Sequence, residues 1–139
     1  MTLSMYQAAV PVFVRALGNL AHVLKKGEEH AKSKNVTDEV LLQTRLITDM
    51  LPLVKQIQIA CDMATRGTAR LAGAEPQSFE DNETTLAQAY SRIERSIDYI
   101  RSFTAEQIDG SETRAIHLKM RNGEMNFDGQ TYLLHFLLP

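Results

Sequence analysis

The sequence contains no tryptophan, only one cysteine and almost no excess of charge. With Cys61 alone no intrachain disulfide can form, which fits a reducing cytoplasm. A formal net charge of -2 gives no sign of the basic stripe that nucleic-acid-binding proteins usually carry. The N-terminus has no basic segment before an apolar core, and no apolar run approaches the roughly 20 residues that span a membrane. We therefore predict a cytoplasmic protein without nucleic-acid or membrane partners.

The length and composition favour one globular domain over residues 1–139, because 44% hydrophobic and 23% charged residues are ordinary proportions for a folded chain. Apolar residues at alternating steps of four and three predict a first helix over residues 3–33, packed along a single stripe. This stripe, the first-helix seam, consists of Tyr6, Val10, Phe13, Leu17, Leu20, Leu24, Gly27 and Ala31.

A second helix is predicted over residues 37–66. Thr37 has the residue type of an N-cap, and Asp38 and Glu39 follow in the first turn, where the helix dipole favours anions. Pro52 lies inside the predicted helix and should bend it. The apolar arc is wide enough to contact several neighbours, so we expect this helix to be the most buried. The arc comprises Val40, Leu46, Ile47, Met50, Leu53, Val54, Ile57, Ala60, Cys61 and Ala64.

The second half of the chain predicts a loop over residues 73–82, a third helix over residues 83–103 and then a β-hairpin. Alternating apolar residues flank Asn122-Gly123, the sequence of a two-residue type I′ turn, which predicts pairing of Leu118 with Phe127. An apolar run from Thr131 predicts a fourth helix that is cut short at Pro139. The outer face of the third helix should carry its charged residues, which are Arg92, Glu94, Arg95, Asp98 and Arg101.

The histidines differ in their surroundings. His22, His30 and His117 lie on or beside polar faces, whereas His135 falls in the most apolar stretch of the chain. Two interpretations of His135 stay open. It is either a core histidine satisfied by a hydrogen bond, or a ligand that faces the bundle interior, where helical bundles build their metal sites.

A second candidate cluster is Arg45, Asp49 and Gln56. Asp49 and Gln56 are seven residues apart and would share one face of the second helix, with Arg45 placed to pair with Asp49. The cluster is either a partly buried polar network that fixes helix register or a ligand-binding site. Asp62 would lie on a different face, and Cys61 fits a small core residue. No metal, nucleophile-elbow or phosphate-loop motif occurs.

Four separated runs resemble a bacterial family of unknown function within the DinB/YfiT-like metalloenzyme superfamily. They are residues 11–20 (PVFVRALGNL), 45–56 (RLITDMLPLVKQ), 70–73 (RLAG) and 132–139 (YLLHFLLP). The resemblance implies an all-α, up-down-down-up four-helix bundle with the small hairpin before the fourth helix. It also implies a homodimer formed through helix faces.

Many DinB-like proteins hold a divalent metal through one histidine on the second helix and a spaced pair on the fourth. The sequence departs from that pattern, because the second helix offers only Asp49, Gln56 and Asp62, and the fourth keeps only His135. In similar sequences the chain continues beyond the position of Pro139 into a stretch with another histidine. No catalytic residue is therefore assigned.

Three functional hypotheses follow. The first is a DinB-like protein whose cleft near Asp49, Gln56 and His135 holds a small ligand or a weakly bound zinc or nickel ion. The second is a metal-dependent transferase or hydrolase, in which a metal lowers the pKa of bound water or of a thiol. The third is a non-catalytic, dimeric interaction module that docks through uncovered helix faces.

Overall fold

The computed structural model describes residues 2–139, which form a mostly helical protein with one β-hairpin near the C-terminus. Helices α1, α3 and α4 are the long ones and pack against one another around an apolar core. Within the described residues, no helix combines the length and the apolarity needed to cross a membrane. The elements are α1 (Met5–Ser33), α2 (Asp38–Leu42), α3 (Leu53–Leu71), α4 (Leu86–Arg101), α5 (Ala105–Ile108), a 3-10 turn (Ser111–Thr113), β1 (Ala115–Met120), β2 (Gly123–Asp128), α6 (Gly129–Tyr132) and a π-helical turn (Leu133–Leu137).

Helix α1 confirms the predicted first-helix seam. Its N-terminus is fixed by a capping box, in which Ser4 accepts from the Gln7 amide and the Gln7 side chain accepts from the Ser4 amide. The seam residues Val10, Phe13, Leu17, Leu24 and Ala31 are buried, and Tyr6, Leu20 and Gly27 are half-buried.

The predicted second helix is wrong in its first half. Helix α2 ends at Leu42, an irregular segment follows, and α3 begins only at Leu53, with Pro52 as its N-cap. A proline disfavours helical conformation in the residue before it and has no N–H to donate, so the helix restarts at Pro52 and is not bent there. The Leu53 amide donates to the Thr44 carbonyl at 3.0 Å and closes the segment as a loop.

This break exposes residues that the periodicity assigned to the core. Val40, Leu46 and Ile47 are 57%, 85% and 63% exposed. From Val54 onward the predicted arc holds in part, because Val54, Ile57, Cys61 and Ala64 are buried while Ala60 is exposed. The apolar pattern before Pro52 thus falls on the short helix α2 and a surface loop.

Helix α4 confirms the third predicted helix with slightly shorter bounds. Thr85 caps its N-terminus in a second capping box, with Gln88 as the reciprocal partner. The Asp38 carboxylate accepts from the Leu86 amide at 3.0 Å, which ties the start of α4 to α2. Leu86, Ala89, Ile93 and Ile100 form its buried stripe.

The hairpin is present, but its predicted register is wrong by two residues. Leu118 pairs with Met125 and Ile116 with Phe127, so Arg121 and Asn122 form the turn. Gly123 is the first strand residue and has φ of 142°, a conformation that favours glycine. A shift of two residues keeps every side chain on the same face, so the apolar alternation could not distinguish the two registers.

The C-terminal helical segment is anchored by a close backbone approach at Gly129. A Cβ at this position would lie 1.9 Å from the backbone oxygen of Ser111, far inside contact distance. Asp128 caps the segment by accepting from the Thr131 amide at 2.7 Å. Glycine at position 129 therefore lets the segment dock on the 3-10 turn.

We expect Gly129→Ala to lower the free energy of unfolding by about 2 kcal/mol or more, because two backbone segments would have to separate. Urea denaturation measures the change. Gly18→Ala is the matched control, since a Cβ there meets nothing within 4 Å and alanine favours the α1 helix. Equal urea midpoints for Gly129→Ala and the unaltered protein would contradict the close approach.

Candidate functional site

The structure places the predicted cluster of Arg45, Asp49 and Gln56 on the surface. Arg45 Nη1 donates to the carbonyls of Thr48 and Met50, at 3.4 and 3.0 Å, and not to the Asp49 carboxylate. Gln56 Nε2 donates to the Leu51 carbonyl at 3.2 Å. Because Asp49 precedes α3 and Gln56 lies within it, the predicted shared helix face is wrong. Arg45 and Gln56 instead satisfy the carbonyls of the irregular loop.

His135 is also exposed, in the π-helical turn Leu133–Leu137, and not in the core. Within residues 2–139, no hydrogen bond or ion pair joins it to Arg45, Asp49 or Gln56. A ligand-binding role for these four residues stays a prediction.

A DinB-type metal site does not fit the donors of this chain. Among the described residues, no three His, Cys, Asp or Glu side chains lie close enough together to hold a metal ion. On α3, Cys61 is buried, and burial raises the pKa of its thiol, which keeps it protonated. Its neighbour Asp62 is already paired with Arg92. We therefore derive no chemistry through a metal.

A buried arginine forms the centre of a charged cluster inside the bundle. The helical period predicted Arg92 on the outer face of its helix, but the side chain is 0% exposed. Its guanidinium contacts Asp62 at 2.9 Å, Asp81 at 2.9 Å and Glu83 at 3.0 Å. The small residues Ala89 and Ser96 lie on the same buried stripe of α4 as Arg92.

Hydrogen bonding decides the charge state of this cluster. Burial raises the pKa of the Glu83 carboxyl, but hydrogen bonds from Gln58 and Arg92 outweigh burial, so that the pKa lies below its usual value. Burial also disfavours the charged form of Arg92, yet its bonds to Glu83 and Asp62 raise its pKa. Glu83 and Arg92 are therefore both charged, and the cluster joins α3, α4 and the loop between them.

The main cleft lies between the C-terminal half of α3, the loop after it and strand β1. It has a volume of about 540 Å³. Its lining includes three cations, Arg66 and Arg70 from α3 and Lys119 from β1, together with His117 and one acid, Glu75. We call this the basic cleft.

The three cations of the basic cleft have no carboxylate partner. Within residues 2–139, no Asp or Glu oxygen lies within 4.0 Å of Arg66, Arg70 or Lys119. By contrast, Lys25, Lys32 and Arg92 are all paired. Arg70 is held in place because its Nη1 donates to the hydroxyl of the buried Tyr132 at 3.0 Å. The basic cleft therefore presents positive charge available to an anion.

A smaller cleft of about 210 Å³ lies beside the basic cleft and shares Arg66, Arg70 and Lys119 with it. We call it the apolar annex. Beyond the shared cations and Asp62, its lining is apolar and consists of Ile59, Met63, Leu118, Met120 and Phe136. Phe136 stacks on Tyr132 with ring centroids 5.5 Å apart, so one wall of the annex is aromatic.

A third cavity, of about 440 Å³, lies between α1, α3 and the C-terminal turn. Its lining is apolar and includes Val12, Leu20, Met63 and Leu138. The cavity leaves apolar side chains of α1 and α3 uncovered beside the C-terminal turn.

Sequence reasoning did not find the basic cleft, because its residues belong to separate elements. The only local signal is the spacing of Arg66 and Arg70, four residues apart and therefore on one face of α3. The position of Lys119 across the cleft from α3 depends on how the hairpin packs on the helices.

The helices and hairpin define a DinB-like protein. A crystal structure of a DinB family member from Shewanella denitrificans is similar, with a TM-score of 0.84 and 31% sequence identity over 96% of this chain and 76% of the other. The chain belongs to the family described as Domain of unknown function (DUF1993), whose profile matches residues 5–139. A search of curated proteins finds no match.

Proposed function

We propose that this protein binds a small organic anion in the basic cleft. The supporting observation is the set of three cations, Arg66, Arg70 and Lys119, that line one cavity of ligand size without a carboxylate partner among residues 2–139. Ligand cavities commonly span roughly 300–1,000 Å³, and charged groups within them fix orientation. The geometry supports ligand binding, and no bond-making step is assigned to it.

The arrangement suits a planar or tetrahedral oxyanion. Arg66 and Arg70 project from successive turns of α3, and a guanidinium can give two parallel hydrogen bonds to a carboxylate or phosphate. Lys119 approaches from β1 and adds a point charge from the other wall. Glu75 opposes binding, but the charged side chains of the cleft still sum to a positive value.

Titration with acetate, inorganic phosphate and citrate, followed by amide chemical shifts in NMR spectra, tests the proposal. We expect saturable shifts in residues of the basic cleft, with Arg66→Gln weakening binding about tenfold or more through loss of a charged hydrogen bond. Added sodium chloride should weaken binding further, since ions screen exposed charges.

Arg15→Gln is the control, because Arg15 is exposed on α1 outside the cleft and the substitution removes the same charge. It should leave the affinities unchanged. Shifts that never saturate for any of the three anions, or an equal loss in Arg15→Gln, would contradict the proposal.

A further inference from the structure

We infer that the ligand is an amphipathic anion, with its charged group between Arg66, Arg70 and Lys119 and an apolar tail in the annex. This inference rests on the proposed function and adds the chemical class of the ligand. The basic cleft and the apolar annex share those three cations, so a head group bound to them lies next to both clefts.

The lining of the annex supports an apolar occupant. Ile59 and Met120 are 45% and 49% exposed, although both are large apolar side chains. They flank Leu118, which is buried, and Phe136, which is half-buried. Covering the exposed faces of Ile59 and Met120 with hydrocarbon would be favourable, whereas a polar group would find few partners there.

The polar groups of the annex do not favour a second charged end. Besides the shared cations, the polar side chain in its lining is Asp62, and Asp62 Oδ1 is bonded to Arg92 Nη2 at 2.9 Å. A second anionic group would be repelled by Asp62, and an ammonium group would compete with the buried Arg92 for it. A neutral hydrocarbon tail avoids both costs.

The ligand class follows from the sizes of the two parts. The basic cleft is large enough for a carboxylate or phosphate with its hydration, and the annex, at about 210 Å³, suits a short alkyl or aryl group. A medium-chain carboxylate, an aryl carboxylate or a monoalkyl phosphate meets these requirements.

The experiment compares acetate, butanoate, hexanoate and octanoate, which share a head group and differ in the tail. We expect affinity to rise about two- to fourfold for each added methylene until the annex is filled, and then to level off. Hexyl phosphate should likewise bind more tightly than methyl phosphate. Whether the carboxylates or the phosphates bind more tightly then shows which head group the cleft prefers.

Variants of the annex and of the basic cleft distinguish binding of the apolar tail from binding of the charged group. Ile59→Gln should weaken hexanoate binding severalfold and leave acetate unchanged, because Ile59 lines only the apolar part. Ile47→Gln, the same exchange at an exposed residue outside the annex, should change neither. Arg66→Gln should weaken both ligands.

The outcomes distinguish this inference from the proposed function. If acetate and hexanoate bind with equal affinity, the inference of an amphipathic ligand is wrong, while the proposal of anion binding stands. If none of the acids or phosphates binds, both are wrong. If hexanoate binds to Arg66→Gln as tightly as to the unaltered protein, the annex binds hydrocarbon without help from the cations. The proposed function and the inference are then both wrong as stated.

Discussion

Replacing Arg92 with methionine should lower the free energy of unfolding by about 3–5 kcal/mol at neutral pH. The substitution keeps a long apolar stem but leaves Asp62, Asp81 and Glu83 without their shared cation. Glu83 is the most affected, since it is only 6% exposed and cannot turn to water. Urea denaturation at pH 7 measures the loss.

The difference in unfolding free energy between Arg92→Met and the unaltered protein should shrink as the pH falls. In the unaltered protein the pKa of Glu83 lies below its usual value, so its stabilising contribution is complete above the unfolded-state pKa and is lost as the pH falls through the folded-state pKa. In the variant the buried carboxyl has no cation and its pKa should rise, so protonation relieves the destabilisation. The two stability curves should therefore converge between pH 7 and about pH 4.

Two further variants make the test specific. Arg101→Met removes an exposed charge at the end of α4 and should change stability by less than about 0.5 kcal/mol. Arg92→Lys keeps the charge but not the planar guanidinium, so its stability should lie between those of the unaltered protein and Arg92→Met. If the stability difference between Arg92→Met and the unaltered protein stays constant from pH 7 to about pH 4, an ionised Glu83 paired with Arg92 is contradicted.

Tyr132→Ala should cost about 3–5 kcal/mol, the usual loss when a fully buried aromatic side chain is truncated. The Tyr132 ring is 0% exposed and lies 5.8 Å from the ring of Phe127 on β2 and 5.5 Å from that of Phe136. An isolated two-stranded hairpin is marginal in water, so β1 and β2 depend on this aromatic contact. Hydrogen exchange should show the hairpin amides losing protection before those of α1 and α4.

Tyr132→Phe is the matched variant, since it keeps the ring and removes only the hydroxyl that accepts from Arg70. Its cost should be about 1 kcal/mol, and the hairpin amides should keep their protection. If Tyr132→Ala lowers protection equally in the hairpin and in α1, the aromatic contact does not specifically hold the hairpin.

Local pattern predicted the parts of the fold in which one helix face is buried throughout. In α1 the buried residues Val10, Phe13, Leu17 and Leu24 follow the predicted steps of four and three. Helix α4 and the alternation of Ile116 and Leu118 were predicted for the same reason. Each depends on neighbours in sequence, so the period of the element is enough to identify it.

The same reasoning failed where local signals compete. The apolar residues Leu46 and Ile47 continue a helical period, but Pro52 and the carbonyl contacts of Arg45 favour a loop. The resemblance to DinB-like proteins predicted the family, and the comparisons confirm it. It did not predict where the cleft would lie, since the donors expected for its metal do not come together among the described residues.

The sequence by itself determined the helical class, the hairpin and the buried seam of α1, because periodicity and turn chemistry act within a few residues, and its resemblance to known sequences indicated the family. Only the tertiary structure decided the hairpin register, the burial of Arg92 and the basic cleft. These depend on contacts between segments far apart in the chain, such as Asp62 with Arg92 and Arg70 with Tyr132. A charged residue on a helix has the same local signal whether it faces water or carboxylates, and packing alone decides between the two.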